Sequence, residues 1–550
     1  MCVPDRQRTE GLAEDVVFIL MRKFLLFSIA SLLLPMSSAT ADTPPPNVIL
    51  FMADDMGAGD TSAYQDWSGN PDSAQLHTPA MDRLARMGVK FTDAHAPSSR
   101  CTATRYGLMT GRYSWRTRLK HWVLFGVHGD PLMDRERTTL PEFLRDAGYQ
   151  TGMVGKWHLG LTYRKSDGSP ADAWDDADLT KPLADGPMDH GFDFFKGCSR
   201  SHGTSGPDGM KRNTPDQAIG PGWLVGRDVI GAIGNGKQLD GSYVLNEVGN
   251  VLDTAAFEFL GKAATSAEKP FFLYFASPSN HSPYTPSKEI GGIPVIGASR
   301  NVDGSLTDST RLDFIYQNDV HLQRLLAWLG ATDDPRRPGY PLLENTFIIF
   351  TSDNGAEKNN KQFTGPVRSN KGSVYEGGHR VAFIASWPLG GIGDGNPDTP
   401  GQTKERLICH TDVYATLAAI LDRPLPPVAG LGRGAEDSFS QLAALRGKTS
   451  PPRPPVFPND HMEASKKDSD LRAVLAVRSN APPLPGKWKL FLDHRFAFDQ
   501  KTNPIELYNL ADDPMEENNL VGDPASKPVL EFLVKEAMNA AGDDGHSRPQ

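Results

Sequence analysis

Apolar runs of strand length recur along the chain, and polar or turn residues follow each of them. Four runs are continuous, and a weaker one lies in "QTGMVGKWHLG"; they occupy 48–52, 271–275, 346–350 and 381–385, with the weaker one inside 150–160. Continuous apolar runs of this length are typical of strands that are buried on both faces, as in a parallel sheet.

Segments with helical character lie between these runs. Segment 78–88 is the clearest, because Thr78 can cap a helix, Pro79 suits its first turn and Gly88 ends it. The others are 253–264, 309–330 and 405–421. Strands that alternate with helices predict an α/β fold, built on a large, mostly parallel sheet flanked by helices.

The last quarter of the chain has a different pattern. Proline and glycine become frequent at 422–460, and three short alternating runs follow at 471–480, 486–493 and 505–510. They predict short antiparallel strands, and a last helix is expected at 526–541. We therefore expect a catalytic domain at 42–425 and a smaller C-terminal α+β domain at 426–550.

The N-terminus resembles an export signal. Arg22 and Lys23 precede an apolar run at 24–34, and an Ala-Thr-Ala cleavage pattern ends at Ala41. The run is much shorter than the ~20 residues that span a bilayer. We expect 1–20 to be an over-extended start and 21–41 a signal peptide. The mature protein is then periplasmic or secreted, without a stable membrane anchor.

Composition narrows the range of partners. The hydrophobic content of 39% and the charged content of 23% are ordinary for a globular protein. The formal net charge is −10 and there is no long basic run, which argues against a nucleic-acid partner. An anionic ligand would therefore depend on a few local lysines and arginines.

Polar side chains that could bind a metal or take part in catalysis follow several of the predicted strands. Since sites in α/β sheets form beyond the carboxyl ends of the strands, we expect these side chains to meet. Carboxylate and amide oxygens without nearby histidine or cysteine pairs favour Ca²⁺ or Mg²⁺ over zinc. Together with cations and histidines they suit hydrolysis of an anionic ester, with sulfate and phosphate as the main candidates. The residues that follow strand ends are Asp54, Asp55, Lys156, His158, His281, Asp353 and Asn354, and Arg105 and Lys371 add fixed positive charge.

Cys101 lies between Arg100 and Arg105 in "SSRCTATRYGLMTGRY". A basic, polar surrounding predicts a lowered thiol pKa and an exposed, reactive side chain. Export would also permit a disulfide between Cys198 and Cys409, although nothing in the sequence requires one.

These motifs resemble one enzyme family. "CTATRYGLMTGRY" is similar to the signature of the formylglycine-dependent sulfatases, in the alkaline phosphatase superfamily. "NVILFMADDMG", "GKWHLG", "FLYFASPSNHSPY", "TSDNG", "KGSVYEGGHR" and "ELYNLADDPMEENNL" resemble further family segments in the same order. The resemblance implies that Cys101 is oxidised to Cα-formylglycine, whose hydrate is the nucleophile.

The resemblance also implies a role for each site residue. One Ca²⁺ per chain would be bound by Asp54, Asp55, Asp353, Asn354 and an oxygen of modified Cys101. Arg105 would stabilise the formylglycine. The sulfate would be held by Lys156, His281 and Lys371. In "SRSHGTSG", Ser201 is the best match to a serine that some relatives supply to the sulfate site. His281 or Lys371 would protonate the leaving oxygen, and His158 would take a proton from the second hydroxyl.

The chain departs from the family pattern at three positions. Ala103 replaces the usual proline and Thr104 the common serine, which leaves open which formylglycine-generating or radical-type maturing enzyme acts on it. His379 stands where valine is usual, either as a turn residue or as part of the pocket wall.

Other functions remain open at this level. A phosphonate or phosphate ester hydrolase of the same superfamily is the first alternative, and a secreted binding protein without turnover is the second. The presence of Cys101 and of all the proposed metal ligands disfavours the second. The expected substrate is a sulfated small molecule or saccharide, selected by residues in 115–130, 160–250 and 283–310.

Overall fold

The helices and strands follow the predicted alternation. The computed structural model describes residue 1 and residues 43–120, 122–124, 131–172, 176–202, 223–230, 232–233, 238–239, 243–357, 361–462, 473–480, 483–493 and 503–542. Its helices are α1 (Gln65–Ser68), α2 (Pro79–Met87), α3 (Cys101–Thr110), α4 (Leu140–Asp146), α5 (Val248–Ala263), α6 (Thr310–Ala331), α7 (Lys361–Thr364), α8 (Glu376–His379), α9 (Asp412–Ile420), α10 (Leu442–Leu445) and α11 (Lys527–Gly542). Its strands are β1 (Asn47–Ala53), β2 (Val89–Phe91), β3 (Ala94–His95), β4 (Gln150–Lys156), β5 (Phe194–Cys198), β6 (Trp223–Val225), β7 (Asp228–Ile230), β8 (Ala232–Ile233), β9 (Gln238–Leu239), β10 (Phe271–Ala276), β11 (Glu289–Ile290), β12 (Ile293–Pro294), β13 (Thr346–Ser352), β14 (Phe383–Ser386), β15 (Gln402–Lys404), β16 (Ile408–Cys409), β17 (Asn459–His461), β18 (Ala473–Ser479), β19 (Trp488–Asp493) and β20 (Pro504–Asn509).

A large mixed sheet organises the chain. Its strand order within the described residues is β15-β2-β14-β13-β1-β10-β4-β5-β6-β7. The five central strands, from β13 to β5, are all parallel, and antiparallel pairs occur only towards the two edges. The fold class is therefore confirmed, and the parallel centre brings the carboxyl ends of β1, β4, β10 and β13 to one edge.

The central strands are apolar throughout because both faces are covered. In β1, Val48 and Leu50 belong to one buried cluster, whereas Ile49 and Phe51 belong to another. Side chains of α3, α4 and α9 complete the first cluster, and side chains of α2, α5 and α6 complete the second. This two-sided burial explains why the strands were visible as unbroken apolar runs.

The C-terminal part forms the antiparallel sheet that the sequence predicts. The order is β17-β18-β19-β20, and β17 was not foreseen. Helix α11 packs on this sheet through Val529 and Leu533, which join Leu475 and Leu490 in one buried cluster. The domain boundary at residue 425 stays a prediction.

Two predicted elements differ from the structure. The run at 381–385 becomes β14, which starts at Phe383 and lies antiparallel to β13, because an apolar run carries no information on strand direction. The helix expected at 405–421 begins only at Asp412, since β16 pairs with β3 and Asp412 accepts a hydrogen bond from the Cys409 backbone.

The N-terminal predictions lie outside the described residues, as do parts of the segments expected to select the substrate. Cys198 and Cys409 are free cysteines. No helix in the described part of the chain is long and apolar enough to cross a membrane.

Candidate active site

Three strands of the central sheet, β1, β4 and β13, deliver polar residues to one edge. β1 and β13 pair in parallel up to Ala53 and Ser352, so the next residues, Asp54 and Asp353, leave the two strands as neighbours. Lys156 is the last residue of β4. Asp55 and His158 have φ of 62° and 56°, left-handed values that are uncommon for residues other than glycine. Strained backbone at this edge is typical of a functional site.

The predicted metal ligands meet in a buried cluster. One ligand atom from each of Asp54, Asp55, Cys101 and Asp353 lies within 4.8 Å of the others. The side-chain nitrogen of Asn354 donates to Asp55 at 2.9 Å, and its oxygen lies 3.6 Å from the Cys101 sulfur. The sequence therefore identified the members of this cluster correctly as neighbours.

Three cations lie against the three carboxylates. Arg105 donates to Asp353 at 2.8 Å, and the Lys156 ammonium lies 2.7 and 2.8 Å from the two oxygens of Asp54. The Lys371 ammonium donates to Asp55. Arg105 and Lys156 are fully buried, whereas 14% of the Lys371 side chain is exposed. Lys371 is therefore the cation of the three that a ligand reaches from solvent.

The carboxylates fit a hard divalent cation. Burial and the nearby charge of Asp54 raise the pKa of Asp353 to about 6, even though Arg105 and Lys156 oppose the shift. Crowded carboxylates of this kind are the surrounding that Ca²⁺ and Mg²⁺ favour. The thiol of Cys101 is the one soft donor in the cluster, and replacing its sulfur by oxygen would make the donor set uniform.

Cys101 differs from its prediction. It is the first residue of α3 and only 2% exposed, and burial together with the charge of Asp353 raises its pKa to about 12. The flanking arginines do not stabilise a thiolate, because Arg100 pairs with Asp460 and Arg105 pairs with Asp353. The unmodified side chain is therefore a neutral thiol at pH 7.

Both candidate histidines are neutral at this pH. Burial and the charges of Lys156 and Arg200 hold the pKa of His158 well below its usual range. Its Nε2 lies 3.2 Å from the carbonyl of Leu124, and its Nδ1 has no partner among the described residues. Burial and Lys371 lower the pKa of His281 to about 4. His281 uses Nδ1 to donate to the Ser282 carbonyl at 2.7 Å, so Nε2 faces Asp55, 3.9 Å away.

The segment after β5 also reaches this edge. The backbone of His158 donates to the carbonyl of Ser199, which places 199–201 beside the end of β4. Ser201 is 4% exposed. The charge of Arg200 lowers the pKa of His158. Burial lowers the pKa of Arg200 itself, and the nearby Cys101 opposes that shift. Arg200 was not among the predicted site residues, although it lies in "SRSHGTSG", because only Ser201 was matched in that segment.

Tyr274 was missed for a different reason. It lies inside the apolar run of β10, yet its hydroxyl accepts a hydrogen bond from Arg105 at 3.3 Å. A tyrosine within a buried strand reads as core, and its contact with Arg105 depends on how helix α3 packs on β10.

His379 does not line this site. It ends α8 and is fully buried, where its Nδ1 lies 2.9 Å from Nδ1 of His95 and its Nε2 lies 3.1 Å from the Lys489 ammonium. Lys489 also contacts Glu376 and Glu516 at 3.0 Å each. His379 therefore joins the turn after Lys371 to the C-terminal sheet.

Comparison with known proteins shows the family of the chain. A family model described as Sulfatase matches residues 46–422. Human arylsulfatase A is 32% identical over 545 residues, covering 94% of this chain and 93% of that protein. An N-acetylgalactosamine-6-O-sulfatase of Bacteroides thetaiotaomicron is 27% identical, covering 86% and 89%. A solved structure from work on glycosaminoglycan metabolism by the same bacterium has a TM-score of 0.64 at 24% identity, and covers 90% of this chain and all of that one.

Proposed function

Because the chain belongs to the sulfatase family and is a sulfuric ester hydrolase, we propose that it is an exported enzyme that hydrolyses a sulfate ester of a saccharide, using a formylglycine made from Cys101. The saccharide is suggested by the bacterial relative, which is named for a sulfated amino sugar. Export is suggested by the leader at 21–41.

One observation carries the mechanism. The Cys101 sulfur lies 3.7 Å from Asp54 and 3.6 Å from Asn354, at the start of a buried helix and beside three fixed cations. A neutral thiol has little use in such a polar cluster. A hydrated aldehyde at the same carbon would supply a hydroxyl nucleophile there.

The chain's own residues would bind and orient the sulfate. Lys371 and His281 reach the partly exposed side of the site, and the buried Lys156 adds positive charge from below. Fixed cations of this kind stabilise the charge that develops as the ester bond breaks. Lys371 or His281 would donate the proton to the leaving oxygen, and Ser201 would extend the sulfate contacts.

The remaining residues would manage the nucleophile and the metal. His158 would take a proton from the second hydroxyl through its Nδ1, which has no partner among the described residues. Arg105 would fix the modified side chain. Ca²⁺ held by Asp54, Asp55, Asp353 and Asn354 would act as a Lewis acid that lowers the pKa of a bound hydroxyl.

The first test combines the mass of the peptide that carries Cys101 with an assay of sulfate release. When the protein is produced together with a maturing enzyme, the tryptic peptide 101–105 is expected to lose about 18 Da, since CH₂–SH becomes an aldehyde. The same preparation should release inorganic sulfate from an aryl sulfate and from sulfated saccharides. The peptide that carries Cys409 is the internal control and should keep its mass. Faster hydrolysis of aryl phosphonates than of aryl sulfates would favour the alternative function.

A second prediction concerns the metal. Purified protein is expected to contain one Ca²⁺ per chain by elemental analysis, and Asp353→Ala should lose it because the variant removes a hard ligand. Asp412→Ala is the matched control, since Asp412 is also buried and also pairs with an arginine, Arg453 at 2.8 Å, but is not a proposed metal ligand. Stoichiometric zinc in the wild type, or calcium retained in Asp353→Ala, would contradict the ligand assignment.

A further inference from the structure

Arg100 is a second arginine at the active site, and the mechanism above does not use it. It directly precedes Cys101 and stands at the N-terminal cap position of α3. Its Nε donates to Asp460 at 2.9 Å, and its guanidinium carbon lies 4.0 Å from the centre of the Trp122 ring. One hydrogen bond and one stacking contact therefore fix the plane of the guanidinium.

The acceptor is itself held rigidly. Asp460 is fully buried and accepts hydrogen bonds from the Ser99 hydroxyl and from the backbone N–H of His461 at 2.8 Å. Asp460 belongs to β17, so the C-terminal sheet contributes directly to the wall beside Cys101. An arginine held in this way loses little entropy when it binds a ligand.

Gly372, the residue after Lys371, leaves room for the same guanidinium. Its φ of +87° is left-handed, and a Cβ added there would lie 2.7 Å from Nη2 and 2.9 Å from the central carbon of Arg100. The backbone N–H of Gly372 also donates to the carbonyl of Ser99 at 3.2 Å. Arg100 therefore packs directly against the turn that carries Lys371.

The outer edge of Arg100 remains available. Among the described residues, neither terminal nitrogen of Arg100 takes part in a hydrogen bond. The side chain is 18% exposed, similar to Lys371 at 14% and His281 at 15%, whereas Arg105 and Lys156 are fully buried. Arg100 therefore shares the solvent-facing rim of the site with Lys371 and His281.

We propose that Arg100 binds a second oxyanion of the substrate, so that the preferred substrate is a saccharide with another sulfate or a carboxylate near the sulfate that is removed. The proposal rests on the sulfatase function proposed above. The two terminal nitrogens of an arginine match the two oxygens of a carboxylate or sulfate, and such charge-assisted pairs are about twice as strong as neutral ones. Asp460 orients the fork through Nε and leaves the opposite edge for the ligand.

The test compares Arg100→Gln with Arg324→Gln. Arg324 is a matched control outside the segments expected to select the substrate, because it also stacks on an aromatic ring, Phe257 at 5.1 Å, and pairs with an aspartate, Asp253 at 3.0 Å. Three substrates are used: an aryl sulfate without another charge, a disulfated disaccharide and a monosulfated disaccharide with a uronate. The two disaccharides separate a second sulfate from a carboxylate as the preferred oxyanion.

Arg100→Gln is expected to lower kcat/KM for at least one disaccharide by about 10- to 100-fold more than for the aryl sulfate, as loss of a hydrogen bond to a charged group does. The loss should lie mainly in KM, because the second anion is bound equally in the ground state and the transition state. Arg324→Gln should leave the ratio between substrates as in the wild type. Arg100→Lys, which keeps the charge without the fork, should recover part of the preference.

The outcomes separate this proposal from the one on which it rests. If the wild type releases no sulfate from any substrate, the proposed function itself fails. If the wild type is active but Arg100→Gln lowers all three substrates equally, Arg100 has only a structural role and the second site is refuted. Thermal unfolding of each variant shows whether a loss reflects folding, and the folded Arg100→Lys variant then decides the question.

Discussion

Replacing Cys101 with alanine is expected to reduce sulfate release to the background level while the protein stays folded. The side chain has the place of the nucleophile in the buried cluster, and its sulfur lies 3.7 Å from a carboxylate oxygen of Asp54 and 3.6 Å from the amide oxygen of Asn354. Loss of a catalytic nucleophile lowers kcat by about 10⁵-fold or more. The measurement is steady-state hydrolysis of an aryl sulfate, with thermal unfolding to verify the fold.

Cys409→Ala is the control for this variant. Cys409 is also a buried free cysteine, at 2% exposure, but it lies in the apolar cluster under the C-terminal sheet. Its replacement should leave kcat/KM within about twofold, since surface and core changes away from a site act mainly on stability. Near-normal turnover by Cys101→Ala would show that the nucleophile has been misassigned.

The sequence predicted which residues lie together where a polar residue follows a strand end. Asp54, Lys156 and Asp353 each follow or end an apolar run. The parallel centre of the sheet brings together residues that are far apart in sequence, such as Asp55 and Asn354, which are 299 positions apart and hydrogen-bonded. Parallel order is the common arrangement for strands separated by helices. Strand position alone was therefore enough to group these residues.

The environment of Cys101 was beyond this kind of argument. Its flanking arginines suggested a thiolate, but the partner of Arg100 is Asp460, 360 residues away in β17. Long-range partners of this kind decide whether a basic side chain lowers a neighbour's pKa or is already neutralised. The direction of β14 and the buried position of His379 were hidden for the same reason, since each depends on contacts between distant segments.

Lys156→Ala and Lys371→Ala are both expected to lower kcat/KM by roughly 10²–10³-fold, as removal of a fixed donor does. The two variants should differ in their effect on stability. Lys371 is partly exposed and pairs with Asp55, so Lys371→Ala should act mainly on catalysis. Lys156 is fully buried against Asp54. Its removal takes the nearest cation from the buried Asp54 carboxylate and leaves Arg105 3.7 Å away, which is expected to lower stability by up to about 3–5 kcal/mol.

Lys489→Ala separates these two effects. Lys489 is equally buried and contacts two carboxylates, Glu376 and Glu516, at 3.0 Å each, but it lies in the network of His379 rather than against the metal cluster. Lys489→Ala and Lys156→Ala should therefore lower the unfolding temperature to a similar degree, whereas only Lys156→Ala should lose turnover per folded molecule. The measurement is kcat/KM for one aryl sulfate, normalised to the folded fraction at the assay temperature. Wild-type kcat/KM in Lys156→Ala or Lys371→Ala would remove that lysine from the sulfate site. An equal loss of kcat/KM in Lys489→Ala would assign the effect to stability. A lysine that binds the sulfate acts on the transition state, whereas one that only neutralises a carboxylate acts on the fold.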